Sequence, residues 1–159
     1  MDVSNMMSPH FSFGEMTATV HENYIQENRL LARNFLVNGM ALCNLLERVR
    51  AYLNVPIFIS SAFRCADLNA AVGGAAHSQH CLFQAADTTY AGYTLVDAYN
   101  KIAHNDIGIE FGQLIYEFGS WIHISIPDPL NYPGVTMQLL KADSVAGETV
   151  YTPITGMLA

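Results

Sequence analysis

Ser78-Gln79-His80-Cys81-Leu82-Phe83-Gln84-Ala85-Ala86-Asp87 is the stretch of sequence that decides the fold of this chain. It places a histidine and a carboxylate in one short segment, and a second histidine follows downstream in Trp121-Ile122-His123. Two imidazoles and one carboxylate are the ligands of a catalytic zinc whose fourth position stays open. A histidine on a strand is by itself more often structural, so only the combination makes His80, Asp87 and His123 candidate ligands of one Zn²⁺.

The alternation of side chains around these candidates predicts that they lie at one face of a sheet. Ala85 and Asp87 share a face if residues 77–87 run from a loop into a strand. His123 shares its strand face with Trp121 and Ser125, whereas the intervening isoleucines point the other way. We therefore expect the far face of this sheet to be buried.

The rest of the chain predicts an α+β fold in one domain, residues 1–159, with helices packed on a small antiparallel sheet. Residues 1–14 are an N-terminal arm and residues 127–159 a C-terminal extension. Apolar spacing predicts helices over 28–53, 66–72 and 95–104, the first broken at Asn38-Gly39. Strands are expected over 55–61, in a hairpin of 113–118 and 121–126 joined by Gly119-Ser120, and more weakly over 135–140 and 149–154.

The composition limits the class of protein. Hydrophobic residues make up 51% and charged residues 13% of the 159, as in a globular chain. A net charge of −7 and only seven scattered Lys and Arg argue against nucleic-acid binding. No segment reaches the ~20 apolar residues that span a bilayer, and the N-terminus lacks the pattern of a signal peptide. Three cysteines without CxxC spacing fit a reduced compartment, so we expect synthesis in the cytoplasm.

Taken together, these motifs resemble those of the zinc peptidoglycan peptidases of the D-Ala-D-Ala carboxypeptidase family, in the Hedgehog/DD-peptidase fold group. Members carry a Ser-x-His-x-x-Gly-x-Ala-x-Asp signature followed by a Trp-x-His segment. Residues 59–64, 68–69 and 72–74 resemble the family's Ser-Gly-Tyr-Arg, Leu-Asn and Val-Gly-Gly run, and residues 8–11 resemble the opening of smaller, often phage-encoded members. The residues that match the two signatures are Ser78, His80, Ala85, Asp87, Trp121 and His123.

The resemblance implies that His80, Asp87 and His123 hold zinc and that an acidic general base lies just upstream of the last histidine. In several relatives the acid is closer to the histidine, but here Glu117 is the nearest carboxylate. A two-residue turn at Gly119-Ser120 turns Glu117 to the opposite face, and only an odd-length loop or a bulge brings it to the metal side. The alternative is a solvated strand carboxylate.

The resemblance also implies roles for residues around the metal. Arg64 is expected to polarise the scissile carbonyl or hold a substrate carboxylate, although it could instead pair with Asp67 at helical spacing. Ser78 is expected to brace the His80 loop as a supporting group. The remaining substrate-binding or supporting candidates are His77, Gln113 and Trp121.

One departure from the signature concerns its glycine, which is replaced here by Phe83. If the position needs a positive φ, a phenylalanine is strained there. Alternatively the loop takes another path, or the ring crowds the cleft and narrows the range of substrates.

The function that the resemblance implies is zinc-dependent hydrolysis of an amide bond in the peptide stem of bacterial peptidoglycan, acting on the wall after release or export. The peptide stem is the expected partner, with no nucleic acid and no membrane span. The alternatives are a zinc-stabilised binding module without turnover and a structural module of a virion. The sequence sets neither the bond that is cleaved nor the oligomeric state.

Overall fold

The structure, a computed structural model, describes residues 5–159 and is built on one sheet of six strands. The strands follow the order β1-β2-β4-β3-β5-β6, and every neighbouring pair is antiparallel except β3 and β5. Their bounds are β1 Ile57–Ser61, β2 Ala85–Tyr90, β3 Gln113–Glu117, β4 Trp121–Ser125, β5 Gln138–Val145 and β6 Glu148–Pro153. The α+β prediction is confirmed, but the sheet is mixed rather than antiparallel throughout.

The helices come before β1 and between the strands. Their bounds are α1 Phe13–Met16, α2 Ile25–Ala32, α3 Leu36–Leu53, α4 Ala66–Ala71 and α5 Leu95–His104. The predicted break at Asn38-Gly39 is wrong, because the α2–α3 boundary is the 3₁₀ turn Arg33–Phe35. Gly39 instead lies inside α3, where a Cβ would come within 2.7 Å of the Phe83 ring. The glycine is therefore a packing contact and not a helix breaker.

The two faces of the sheet have different roles. Ile122 and Ile124 point to one face, are fully buried and belong to the main hydrophobic core with residues from α3 and α5. The opposite face carries the candidate ligands and forms the floor of an open groove. Alternation along β4 thus separates the core from the site, as the sequence pattern predicted.

The C-terminal part of the chain extends the sheet. Because β4 ends beside the start of β3, residues 126–137 only have to cross this end of the sheet for β5 to begin parallel to β3. Asp128 organises this connection, since it accepts hydrogen bonds from the Gln84 side chain and from Leu130 and Asn131. Tyr99 of α5 lies across the parallel pair and donates to Leu114 O and Leu140 O at 3.3 and 3.2 Å.

The N-terminal arm packs against α3. Its first four residues lie outside the described part of the chain, and Phe11 is 1% exposed. Ser8 Oγ donates to Glu47 at 2.7 Å, and the His10 ring pairs with the same carboxylate at 2.8 Å. Among the helices of residues 5–159, none is long and apolar enough to cross a membrane.

Candidate metal centre

Three side chains from separate parts of the sequence meet at the floor of the groove. His80 Nε2, His123 Nδ1 and Asp87 Oδ1 lie 3.2 Å from one another in all three pairs. The three residues are 2%, 7% and 6% exposed. No other such group of potential metal ligands occurs within residues 5–159.

Strand pairing brings two of these ligands together. Asp87 of β2 and His123 of β4 are direct partners in the antiparallel register, so their side chains leave the same face side by side. His80 comes from the 3₁₀ turn Gln79–Leu82, and two residues separate this turn from β2. Ser78 caps this turn by accepting from His80 N at 3.3 Å.

Hydrogen bonds on the outer side of each imidazole fix which nitrogen faces the centre. His80 Nδ1 donates to Ala62 O at 2.6 Å, and His123 Nε2 donates to Gln79 Oε1 at 3.0 Å. Each neutral ring has one proton, so the lone pairs of His80 Nε2 and His123 Nδ1 point inward. Gln79, 6% exposed, is a supporting residue that the sequence analysis missed. Its position between Ser78 and His80 was the available signal.

The donor set fits a zinc ion. Tetrahedral zinc with bonds of about 2.0–2.1 Å separates its ligand atoms by roughly 3.4 Å, close to the 3.2 Å found here. Two inward lone pairs and a carboxylate oxygen repel one another unless a cation lies between them. Burial raises the pKa of Asp87, but imidazoles that carry a proton toward it outweigh burial and hold that pKa well below its usual range; between neutral rings a metal ion would supply the same positive charge. The carboxylate is therefore ionised, as a metal ligand must be.

Arg64 lines the same groove, on the loop after β1. No ion pair joins it to Asp67 within the described part of the chain, and its buried Nε lacks a hydrogen-bond partner there. Asn28, fully buried in α2, braces this loop by donating to Phe63 O at 3.1 Å and accepting from Cys65 N at 2.7 Å. Asn28 is a second supporting residue that the sequence did not reveal.

Glu117 lies on the same face of the sheet as the metal ligands. Ile115 is the direct partner of His123, and Glu117 follows two residues later on β3. The β3–β4 connection is a three-residue loop, because Glu117 pairs with Trp121 and Phe118 already adopts a φ of 54°. The loop is thus of odd length, which is the condition under which Glu117 was expected to share the face of the metal ligands. Trp121 Nε1 donates to Glu117 Oε2 at 2.7 Å and holds the half-buried carboxylate in place.

The other two candidates line the groove without contacting the ligands in any hydrogen bond. Gln113 donates to Gln138 Oε1 at 2.6 Å, across the parallel strand pair. His77 precedes the capped turn, and its carbonyl accepts from the Tyr132 hydroxyl at 3.2 Å. Their contact with substrate therefore stays a prediction.

Phe83 adopts the left-handed conformation that favours glycine, with φ 58° and ψ 34°. Its side chain is fully buried and does not line the groove. The ring lies 5.4 Å from the Phe63 ring and directly against Gly39 of α3. The ring therefore does not crowd the cleft, and Gly39 in α3 provides the space for it.

A buried His-Asp-His triad at the floor of an open groove, with a carboxylate and an arginine beside it, is the site of a metal-dependent hydrolase. The comparison with known families makes this specific: the model of the Peptidase M15 family matches residues 9–125. The chain belongs to the M15 family of zinc D-Ala-D-Ala carboxypeptidase-like enzymes and is a metallopeptidase. This confirms the family resemblance. A comparison with curated proteins finds no matching relative.

Proposed function

We propose that the protein hydrolyses an amide bond in the peptide stem of bacterial peptidoglycan, as a D,D-carboxypeptidase or endopeptidase. The observation that carries the proposal is the presence of His80, Asp87, His123, Glu117 and Arg64 in one groove. The M15 family supports the same substrate class.

His80, Asp87 and His123 would hold a zinc ion, which would supply Lewis acidity for activating a water molecule. Glu117 serves as general base, since its carboxylate lies on the ligand face and Trp121 holds it. It takes a proton from the attacking water and returns it to the leaving amine. The buried Nε of Arg64 has no hydrogen-bond partner among residues 5–159, and with this guanidinium Arg64 stabilises the oxyanion or binds the terminal carboxylate of the substrate.

The test is mass spectrometry of purified peptidoglycan after digestion, together with the zinc content of each protein. Wild type is compared with His80→Ala, which removes a ligand, and with Glu117→Gln, which removes the base but preserves its shape. Glu110→Gln is the matched control because Glu110 is exposed and lies outside the groove. We expect Glu117→Gln to retain zinc and lose about 10²–10⁴-fold in kcat.

Two outcomes contradict the proposal. Full cleavage by Glu117→Gln or by chelated protein excludes the assigned chemistry. Zinc-dependent stability without cleavage by wild type supports the non-catalytic alternative instead.

A further inference from the structure

The β5–β6 hairpin lies beyond the matched family region, which ends at residue 125, yet it forms one wall of the groove. The side chains of its groove-facing residues leave the sheet on the same side as the metal ligands. The strand register shows this, because each of these residues pairs with a residue of the ligand face. These residues are Gln138, Leu140, Thr149, Tyr151 and Pro153.

Tyr151 belongs to a row of direct strand partners that crosses the sheet next to the metal. The row runs from Trp121 to Glu117, then to Ala142 and to Tyr151. Ala142 carries only a methyl group, so little separates the phenol from Glu117. Tyr151 is 51% exposed. Partial burial raises the pKa of the phenol, and the charges of Glu117 and Asp87 raise it further, so the hydroxyl remains a donor at neutral pH.

The groove runs across the strands from one sheet edge to the other. Arg64 follows β1 at one edge, the ligands lie on β2 and β4, and Tyr151 lies on β6 at the other edge. Three strand spacings separate β4 from β6, roughly 14 Å, or about four residues of an extended peptide. The cavity volume of about 1260 Å³ exceeds the roughly 300–1,000 Å³ typical of small-molecule pockets. The length and the volume of the groove therefore suit an extended peptide.

Between the metal ligands and Tyr151, Ile115 and Leu140 form an apolar part of the groove floor beside Glu117. Ile115 of β3 with Leu140 and Ala142 of β5 form a small hydrophobic cluster separate from the main core. Such a floor favours small apolar side chains over charged ones.

We propose that the β5–β6 hairpin binds the residues on the N-terminal side of the scissile bond, with Tyr151 donating a hydrogen bond to the substrate backbone. Here Arg64 is assigned the second of its two proposed roles, binding of the substrate's terminal carboxylate at the opposite end of the groove, and this role sets the direction of the peptide. The inference rests on the proposed function. It makes Tyr151 a residue that selects substrates by length.

The experiment uses synthetic peptides with the sequence of the peptidoglycan stem, each containing the amide bond that the proposed function assigns as substrate. One pair differs by three added residues on the N-terminal side of the bond, and a second pair by added residues on the C-terminal side. Tyr151→Phe is compared with Thr152→Val, which also removes a hydroxyl from β6 but at a position facing the other side of the sheet. Binding of the same peptides to zinc-loaded protein is measured by calorimetry.

We expect Tyr151→Phe to lower kcat/KM about two- to tenfold for the peptide with the long N-terminal side, and not for the short one. Thr152→Val is expected to leave kcat/KM unchanged for both peptides. An equal loss on short and long peptides indicates a merely structural role and overturns the inference, as does no loss at all. If wild type cleaves nothing, the proposed function fails; Tyr151-dependent binding of the long peptide then still supports the hairpin site, and Tyr151-independent binding overturns it.

Discussion

Replacing Phe83 by the glycine of the family signature is expected to destabilise this protein. The ring is fully buried against Phe63 and Gly39, and truncating a buried phenylalanine costs about 3–5 kcal/mol. Glycine adopts the left-handed conformation without strain, which offsets about 1–2 kcal/mol of this cost. The difference is near 2.5 kcal/mol, or a fall of about 5–10 °C in Tm for a chain of this length.

The contact with α3 provides a second, sharper test. In wild type, Gly39→Ala places a methyl group 2.7 Å from the Phe83 ring, and such overpacking costs about 1–3 kcal/mol. In the Phe83→Gly background the ring is gone, and the same substitution gains about 1 kcal/mol of helix propensity. The end of the Met7 side chain, also close, is flexible enough to move. We therefore expect Gly39→Ala to change sign between the two backgrounds.

Urea unfolding of the four proteins at one fixed zinc concentration measures this cycle, since bound metal adds to apparent stability. Activity per folded molecule should not change in Phe83→Gly, because the ring does not line the groove. Additive effects of the two substitutions, or a Phe83→Gly protein more stable than wild type, refute the reasoning. A broader range of cleaved substrates refutes the placement of the ring.

Three further predictions concern the metal and the arm. Chelation should lower the free energy of unfolding by about 4 kcal/mol when free zinc had been 1,000 times its Kd, and calorimetry should show a lower Tm; an unchanged Tm excludes a bound metal. Gln79→Ala should weaken zinc affinity about 10–100-fold in competition with a chromophoric chelator, and equal affinity argues against its support of His123. Burial raises the pKa of Glu47, but hydrogen bonds from His10 and Ser8 outweigh it and leave the pKa lowered. The ionised Glu47 carboxylate therefore stabilises the fold fully above the unfolded pKa of about 4.3, and this stabilisation is lost as the pH falls through the lower folded pKa. Glu47→Gln should reduce the loss of unfolding free energy in that pH range.

The sequence predicted best those features that depend on neighbouring residues. Alternation along residues 121–126 assigned His123 to one face and the isoleucines to the core, and the register bears out that arrangement. The spacing of apolar residues gave α5 its observed bounds, Leu95–His104, because Thr94 caps the helix and Asn105 ends it.

Features that depend on loop geometry or distant contacts were not predictable. The face of Glu117 depends on Phe118, a bulky residue that adopts a positive φ beside Gly119, so that the loop starts one residue earlier than the glycine suggests. The parallel pairing of β5 with β3 joins segments that no local pattern relates. Gly39 was interpreted as a helix breaker because its contact, Phe83, lies far away in sequence.

The position of the hairpin after the metal ligands has a structural consequence. Every residue assigned to the chemistry precedes residue 126, and β5 joins the sheet only through β3. Insertions or exchanges within residues 138–153 therefore leave the register of β2 and β4 unchanged. Substitutions in this hairpin are therefore expected to leave the positions of His80, Asp87 and His123 undisturbed.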